Sequence, residues 1–168
     1  MTTYRVFVGL GSNIGDRFKY LTDAAVALRA LPDTSVVWFS AVYEADPWGK
    51  TDQPKFLNAA CELNTTMHPS ALLCSLKTIE QTMGRTSHEQ WGPREIDLDI
   101  LVYDGLVFED DQVCVPHRDL EHRRFALVPL RDIAPDLVHP VNGLTVEEMA
   151  AACADQGRVV RTSYHIPV

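Results

Sequence analysis

No apolar run in this 168-residue chain reaches the ~18 residues that a membrane-spanning helix needs, and no basic-then-apolar leader opens it. A membrane span and a signal peptide are therefore not expected, and the cytoplasm is the default compartment. Cysteine is sparse: Cys61, Cys74, Cys114 and Cys153 form no CxxC pair and stand at no metal-binding spacing to histidine. That argues against a zinc or redox centre and for reduced, mostly buried thiols. Basic residues are outnumbered, 15 Lys and Arg against 23 Asp and Glu, for a formal net charge of -8. A broad nucleic-acid surface needs the opposite balance, so no nucleic-acid partner is expected. No repeat, low-complexity tract or linker interrupts the chain. A hydrophobic share of 46% suits one packed domain over residues 1–168, and a monomer is the expectation. A dinucleotide fingerprint is missing too. Gly9-x-Gly11-x-x-x-Gly15 has the wrong spacing and no acidic residue at the end of the next strand, so a tight strand-to-helix turn accounts for the glycines.

The elements that are present alternate. Tyr4 to Leu10 reads as a buried strand and Arg17 to Ala30 as a helix carrying Phe18, Leu21, Ala25 and Leu28 on one face, capped by Asp16 and ended by Pro32. Thr34 to Phe39 is a β-branched strand, with Tyr43-Glu44-Ala45 extending it past a kink, and Phe56 to Thr65 is another. Pro69 opens a helix whose Leu72, Leu73, Leu76, Ile79 and Met83 form a stripe ending at Gly84. Asp46 to Lys55 and Thr86 to Gln90 are polar loops. Beyond the Asp97 to Tyr103 strand, Asp104-Gly105 predicts a hairpin turn into Leu106-Val107-Phe108, with glycine supplying the positive φ. Val113 to Pro116 reads as a short strand, Arg124 to Asp132 as helical, Thr145 to Ala154 as an amphipathic helix and Val159 to Thr162 as a closing strand. Helices between strands, with a hairpin among them, predict an α+β layered sandwich with a mainly antiparallel sheet rather than a doubly wound one.

The chemistry concentrates between Arg85 and Val102. Asp97 and Asp99 alternate with Ile96, Leu98, Ile100 and Val102, so a strand here sends both carboxylates to one face, roughly 7 Å apart at Cα. Such apolar flanks predict a strand inside the sheet. Two carboxylates on a rigid element share hard divalent cations, and Arg85 and Arg94 beside them offer forks for phosphate or pair with the aspartates themselves. Metal plus arginine is the equipment of phosphoryl transfer. His117 and Arg123 add another ionisable pair. Phe56, Trp91 and Phe125 together suit a flat heteroaromatic ligand, with Asn58 offering a donor and an acceptor to the ring edge.

Gly9-Leu10-Gly11-Ser12-Asn13-Ile14-Gly15-Asp16, Phe56-Leu57-Asn58-Ala59, Ile79-Glu80 with Gly84-Arg85, Trp91-Gly92-Pro93-Arg94 through Asp97-Leu98-Asp99-Ile100, and Val115-Pro116-His117 with Arg123 and Phe125 follow in an order that resembles the 6-hydroxymethyl-7,8-dihydropterin pyrophosphokinase family over roughly positions 4 to 140. The resemblance implies a ferredoxin-like fold and transfer of pyrophosphate from ATP to the pterin hydroxymethyl group, releasing AMP, in folate biosynthesis. It implies two magnesium ions on Asp97 and Asp99, a triphosphate held by Arg85, Arg94, His117 and Arg123, and Glu80, Ile100 and Cys114 on the nucleotide side. It further implies that the pterin lies between Phe56 and Phe125 with Asn58 at its edge, with Ala45 and Trp48 as further contacts and Trp91 closing over it. Lys77, Gln112 and Cys114 stand where the family commonly has Gln, Arg and Thr, and the Thr86–Gln90 loop is one residue shorter and lacks a second arginine; weaker ATP binding is the expectation. The competing readings are another metal-dependent transferase with an Asp-x-Asp pair and a binding domain without catalysis.

Overall fold

The computed structural model describes residues 1–84 and 92–167. Its main sheet is antiparallel throughout. An interior strand, β1 (Tyr4–Ser12), pairs with β4 (Phe56–Thr65) on one side and β5 (Asp97–Tyr103) on the other. β2 (Thr34–Phe39) and β3 (Ala41–Ala45) both pair with β4, and β3 carries β8 (Val159–His165) on its far side. Two helices, α1 (Arg17–Arg29) and α2 (Pro69–Thr82), connect the strands across one face. There Leu21, Ala25 and Leu28 of α1 and Leu72, Leu76 and Ile79 of α2 bury against Val6, Val8 and Leu10. The opposite face is covered by α3 (Arg124–Ile133) and α4 (Val146–Ala152), which pack Leu127, Leu130 and Met149 onto Phe7, Ala60 and Leu101. The result is the α+β layered arrangement expected from the alternation of elements. No described helix is long and apolar enough to cross a membrane.

Local chemistry explains the element ends. The Asp16 side chain accepts from the Lys19 N–H at 3.1 Å and so caps α1. Thr145 and Glu148 form a reciprocal capping box that starts α4 one residue after the expected position. The kink between β2 and β3 falls at buried Ser40. Its Oγ accepts from the Ala60 N–H at 2.8 Å and donates to the Ala41 carbonyl at 2.7 Å, replacing ladder bonds that the bend removes.

Five expectations require correction. β5 lies at an edge of the main sheet, not inside it. Its apolar residues report helices on both faces, which pattern alone does not separate from a central position. Within β5 the register slips by one: Val102 pairs with Phe7 while Ile100 pairs with Val8, so Leu101 and Val102 both face the α3 side and Val102 leaves the Leu98–Ile100 face. After Asp104-Gly105 the chain does not return along β5. Asp104 itself takes the positive φ of 52°, and the next strand, β6 (Phe108–Glu109), pairs with β7 (Cys114–Val115). Gly9 and Gly11 lie within β1, not in a turn; of that set only Gly15 takes a positive φ, 70°. Of the four thiols only Cys61 is buried; Cys74 is exposed and the other two are half-buried.

Ser40→Ala is expected to leave the Ala60 N–H buried without its acceptor and to lower unfolding free energy by about 1–3 kcal/mol in urea titration. A change below a few tenths would mean that the kink does not depend on this side chain.

Candidate active site

Three neighbouring strands set the floor. In register, Asp97 of β5, Gly11 of β1 and Asn58 of β4 form one row, and Asp99, Gly9 and Ala60 form the next. Directly paired residues share a face, here the α3 side. With strands about 4.8 Å apart, Asp97 and Asn58 stand roughly 10 Å apart across a glycine. The missing side chains leave a cleft of about 330 Å³ lined by Gly9, Gly11, Trp48, Phe56, Asn58, Arg94, Asp97, Asp99, His117, Arg123 and Phe125, among others. A Cβ added to Gly11 would lie 2.8 Å from Asn58 Nδ2 and 3.5 Å from the Phe56 ring. Asn58 lines the cleft, is buried, and its Oδ1 has no hydrogen-bond partner among the described residues.

The walls are tied together by Asn13, which is 2% exposed. Its Nδ2 donates to Gln53 Oε1 at 2.9 Å and to the Pro54 carbonyl at 2.8 Å, while its Oδ1 accepts from the Arg94 N–H at 2.7 Å and its own N–H donates to the Arg94 carbonyl at 2.9 Å. One buried amide thus joins the loop before β4 to the segment before β5. Arg94 Nη1 donates to the carbonyls of Gly92 at 2.9 Å and Pro93 at 3.1 Å.

A second cleft, about 440 Å³, opens beside the outer edge of β5 and shares Lys77, Asp99, His117 and Arg123 with the first. Ile100, Gln112, Cys114, Arg118 and Asp119 complete much of its wall. Glu80 Oε2 takes the Leu98 N–H at 2.7 Å and Lys77 Nζ at 3.1 Å, and Nζ reaches the Leu98 carbonyl at 3.4 Å. Leu98 therefore turns its backbone groups outward, and strand alternation turns those of Ile100 the same way, toward the second cleft. The Ile100 side chain stays in the core.

Arg123 stands where the clefts meet. Its Nη1 is 3.8 Å from Asp99 Oδ2 and 3.4 Å from His117 Nε2, and its Nη2 is 3.5 Å from Asp119 Oδ2. His117 Nδ1 accepts from the Asp119 N–H at 3.1 Å, so in the neutral ring the proton sits on Nε2. Two donors, Nε2–H and the guanidinium, then face each other, an arrangement suited to an anionic oxygen between them. Burial, aided by the Arg123 charge, depresses the His117 pKa to about 4.

Most expected site residues thus converge: Arg94, Asp97, Asp99, His117, Arg123, Trp48, Phe56, Asn58 and Phe125 on the first cleft, and Ile100 and Cys114 on the second. Two do not line either. Ala45 is buried behind Phe56, its partner in the β3–β4 register, and Glu80 is buried beneath β5, where its carboxylate is taken up by the Leu98 N–H and Lys77. Arg85, Trp91 and the Thr86–Gln90 loop lie outside the described residues. Arg123, beyond the arginines expected beside the aspartates, approaches Asp99 at 3.8 Å. Asn13, Arg118 and Asp119 were not foreseen as site residues. Asn13 stood in a quoted motif, but nothing local announces contacts some 40 and 81 positions away.

An antiparallel α+β sheet bearing a carboxylate pair, arginines and aromatic walls defines an enzyme of the phosphoryl-transfer class. Residues 7–135 match the family described as 7,8-dihydro-6-hydroxymethylpterin-pyrophosphokinase (HPPK). The chain is 46% identical over 153 residues to the 2-amino-4-hydroxy-6-hydroxymethyldihydropteridine pyrophosphokinase of Methylorubrum extorquens, covering 91% of this chain and 96% of that one. Against the Pseudomonas aeruginosa protein of the same name the identity is 40% over 153 residues, with 91% and 94% covered. The chain belongs to this family. A Plasmodium falciparum HPPK-DHPS triple mutant shares the fold, with a TM-score of 0.72 at 16% identity over 89% of this chain; the chain spans 43% of that longer one. Those neighbours carry the ferredoxin-like arrangement.

Unfolded, the His117 ring binds a proton near pH 6.5; folded, it does so only near 4. Acid therefore favours the unfolded chain between these values, and above 6.5 the ring adds nothing to the pH dependence of stability. Ring ¹⁵N–¹H spectra are expected to show the Nε2–H tautomer at pH 6, and a protonated ring at that pH would contradict the burial argument. Gly11→Ala is expected to weaken binding of a flat heteroaromatic ligand at Asn58 by at least roughly tenfold, because the new methyl displaces Asn58. Unchanged affinity by calorimetry would remove Gly11 from the floor.

Proposed function

We propose that the first cleft holds 6-hydroxymethyl-7,8-dihydropterin and the second the base of ATP, with the triphosphate crossing Asp99 between them, so that the chain transfers pyrophosphate from ATP to the pterin hydroxymethyl oxygen and releases AMP. The observation that carries this is the set of residues common to both clefts, Lys77, Asp99, His117 and Arg123. Ligands filling the two spaces meet at a carboxylate flanked by cations.

Phe56 and Phe125 offer faces for the pterin ring, and the unpartnered Asn58 Oδ1 accepts from its polar edge. The Ile100 N–H and C=O offer a donor and an acceptor to the edge of adenine, as a strand edge does for any planar amide-like group. Arg123 and the His117 Nε2–H bind phosphate oxygens. Asp97 and Asp99 would hold magnesium, since both are hard oxygen donors on one face of β5. Two such ions supply neutralisation of the phosphate charge.

A bond forms from the hydroxymethyl oxygen to the β-phosphorus as the bond from that phosphorus to the α–β bridging oxygen breaks, and AMP leaves. A pKa near 4 makes His117 a poor base at neutral pH. Positioning and charge stabilisation carry the step, as a loose transition state permits.

AMP release from ATP and magnesium should appear only when the pterin is added, with the pterin diphosphate seen by mass. A different phosphorylated product would favour another Asp-x-Asp transferase, and tight pterin binding with no AMP would leave a binding domain. Asp97→Ala should cut turnover by at least about a hundredfold while pterin affinity changes little. Undiminished turnover would refute the metal assignment.

A further inference from the structure

Trp48 belongs to the loop from Asp46 to Lys55, on the pterin side, and lines only the first cleft. Its ring nevertheless lies against Arg123, with Cζ 4.8 Å from the ring centroid, and Phe125 flanks the same guanidinium at 5.8 Å. We infer that Trp48 is a positioning residue for the nucleotide: by stacking on Arg123 it sets the plane of the guanidinium whose edge meets the phosphates, so a side chain of the pterin loop governs affinity for ATP. This rests on the functional reading above.

The geometry supports it in three ways. A guanidinium uses its face for aromatic rings and its edge for oxyanions, so stacking and phosphate binding reinforce each other. The edge contacts of Arg123 to Asp99, His117 and Asp119, at 3.8, 3.4 and 3.5 Å, are all longer than a charge-assisted hydrogen bond of about 2.7–2.9 Å. A ring face stacked on the guanidinium restrains rotation of that plane directly. The loop that carries Trp48 is itself anchored. Asp46 exchanges two hydrogen bonds with Arg158, each 3.0 Å, and Gln53 accepts from Asn13, so the ring is presented from a fixed base.

The test measures binding of magnesium α,β-methylene-ATP by calorimetry, without pterin, to the full chain and to Trp48→Phe, Trp48→Leu, Arg123→Ala and the double variant Trp48→Leu/Arg123→Ala. Trp48→Leu should weaken binding roughly three- to tenfold and Trp48→Phe should largely restore it, as expected for loss and recovery of a stacked cation. In the Arg123→Ala background, Trp48→Leu should have no further effect, since its contribution passes through the guanidinium. Unaltered nucleotide affinity in Trp48→Leu, with only pterin binding weakened, would overturn the inference and leave Trp48 as a wall of the pterin cleft. An equal loss with and without Arg123 would overturn it as well. Absence of nucleotide binding by the parent chain would instead refute the assignment of the second cleft, and the inference with it.

Discussion

The site depends on an absence of side chains at the middle of the sheet. Any residue larger than glycine at position 11 of this interior strand would fill the space between Asp97 and Asn58, since its Cβ would come within 2.8 Å of the amide. Central strands usually maximise packing, and glycine weakens them by entropy and lost contacts. Here β1 accepts that cost on one face only. Val6, Val8 and Leu10 still pack fully against α1 and α2 on the other. The pleat separates the two tasks, because alternate residues of one strand belong to different layers.

Around that floor, a few buried polar groups hold the walls. Asn13 fixes the segment carrying Arg94 and the loop carrying Trp48 through a single amide, with both donors and the acceptor used. Glu80 and Lys77 cover the Leu98 backbone at the sheet's edge, which would otherwise present open ladder groups. Two residues along, the same edge is left to the second cleft. The edge strand is thus covered at Leu98 and open at Ile100, beside the second cleft.

The chain is acidic, yet its site is equipped for a polyanion. Arg94, Arg123 and Lys77 line one small cleft, with Asp97 and Asp99 beside them to take cations of their own. Arg123 approaches Asp99 and Asp119 at 3.8 and 3.5 Å, which places its charge where the two clefts meet. The depressed pKa of His117 follows first from burial and then from the Arg123 charge beside it.

Much of this was readable beforehand. Alternation in Asp97–Tyr103 established that the carboxylates share a face, the apolar stripes located both sheet-crossing helices, and ordered motifs pointed to the family and to most of the residues that line the clefts. These are local properties: periodicity needs only neighbouring residues, and a motif is carried along the chain. What tertiary structure decided involves partners distant in sequence. The position of β5 at an edge depends on which strands flank it, and the Val102 register slip on how β1 meets it. Gly9 and Gly11 became a floor only through pairing with β4 and β5, and Glu80 became a brace because α2 crosses beneath Leu98. The sequence by itself determined which chemical groups exist and which way each strand and helix turns them; the packing of strands some 40 to 90 residues apart decided which of those groups meet, because distances across a sheet are set by its pairing, not by spacing along the chain.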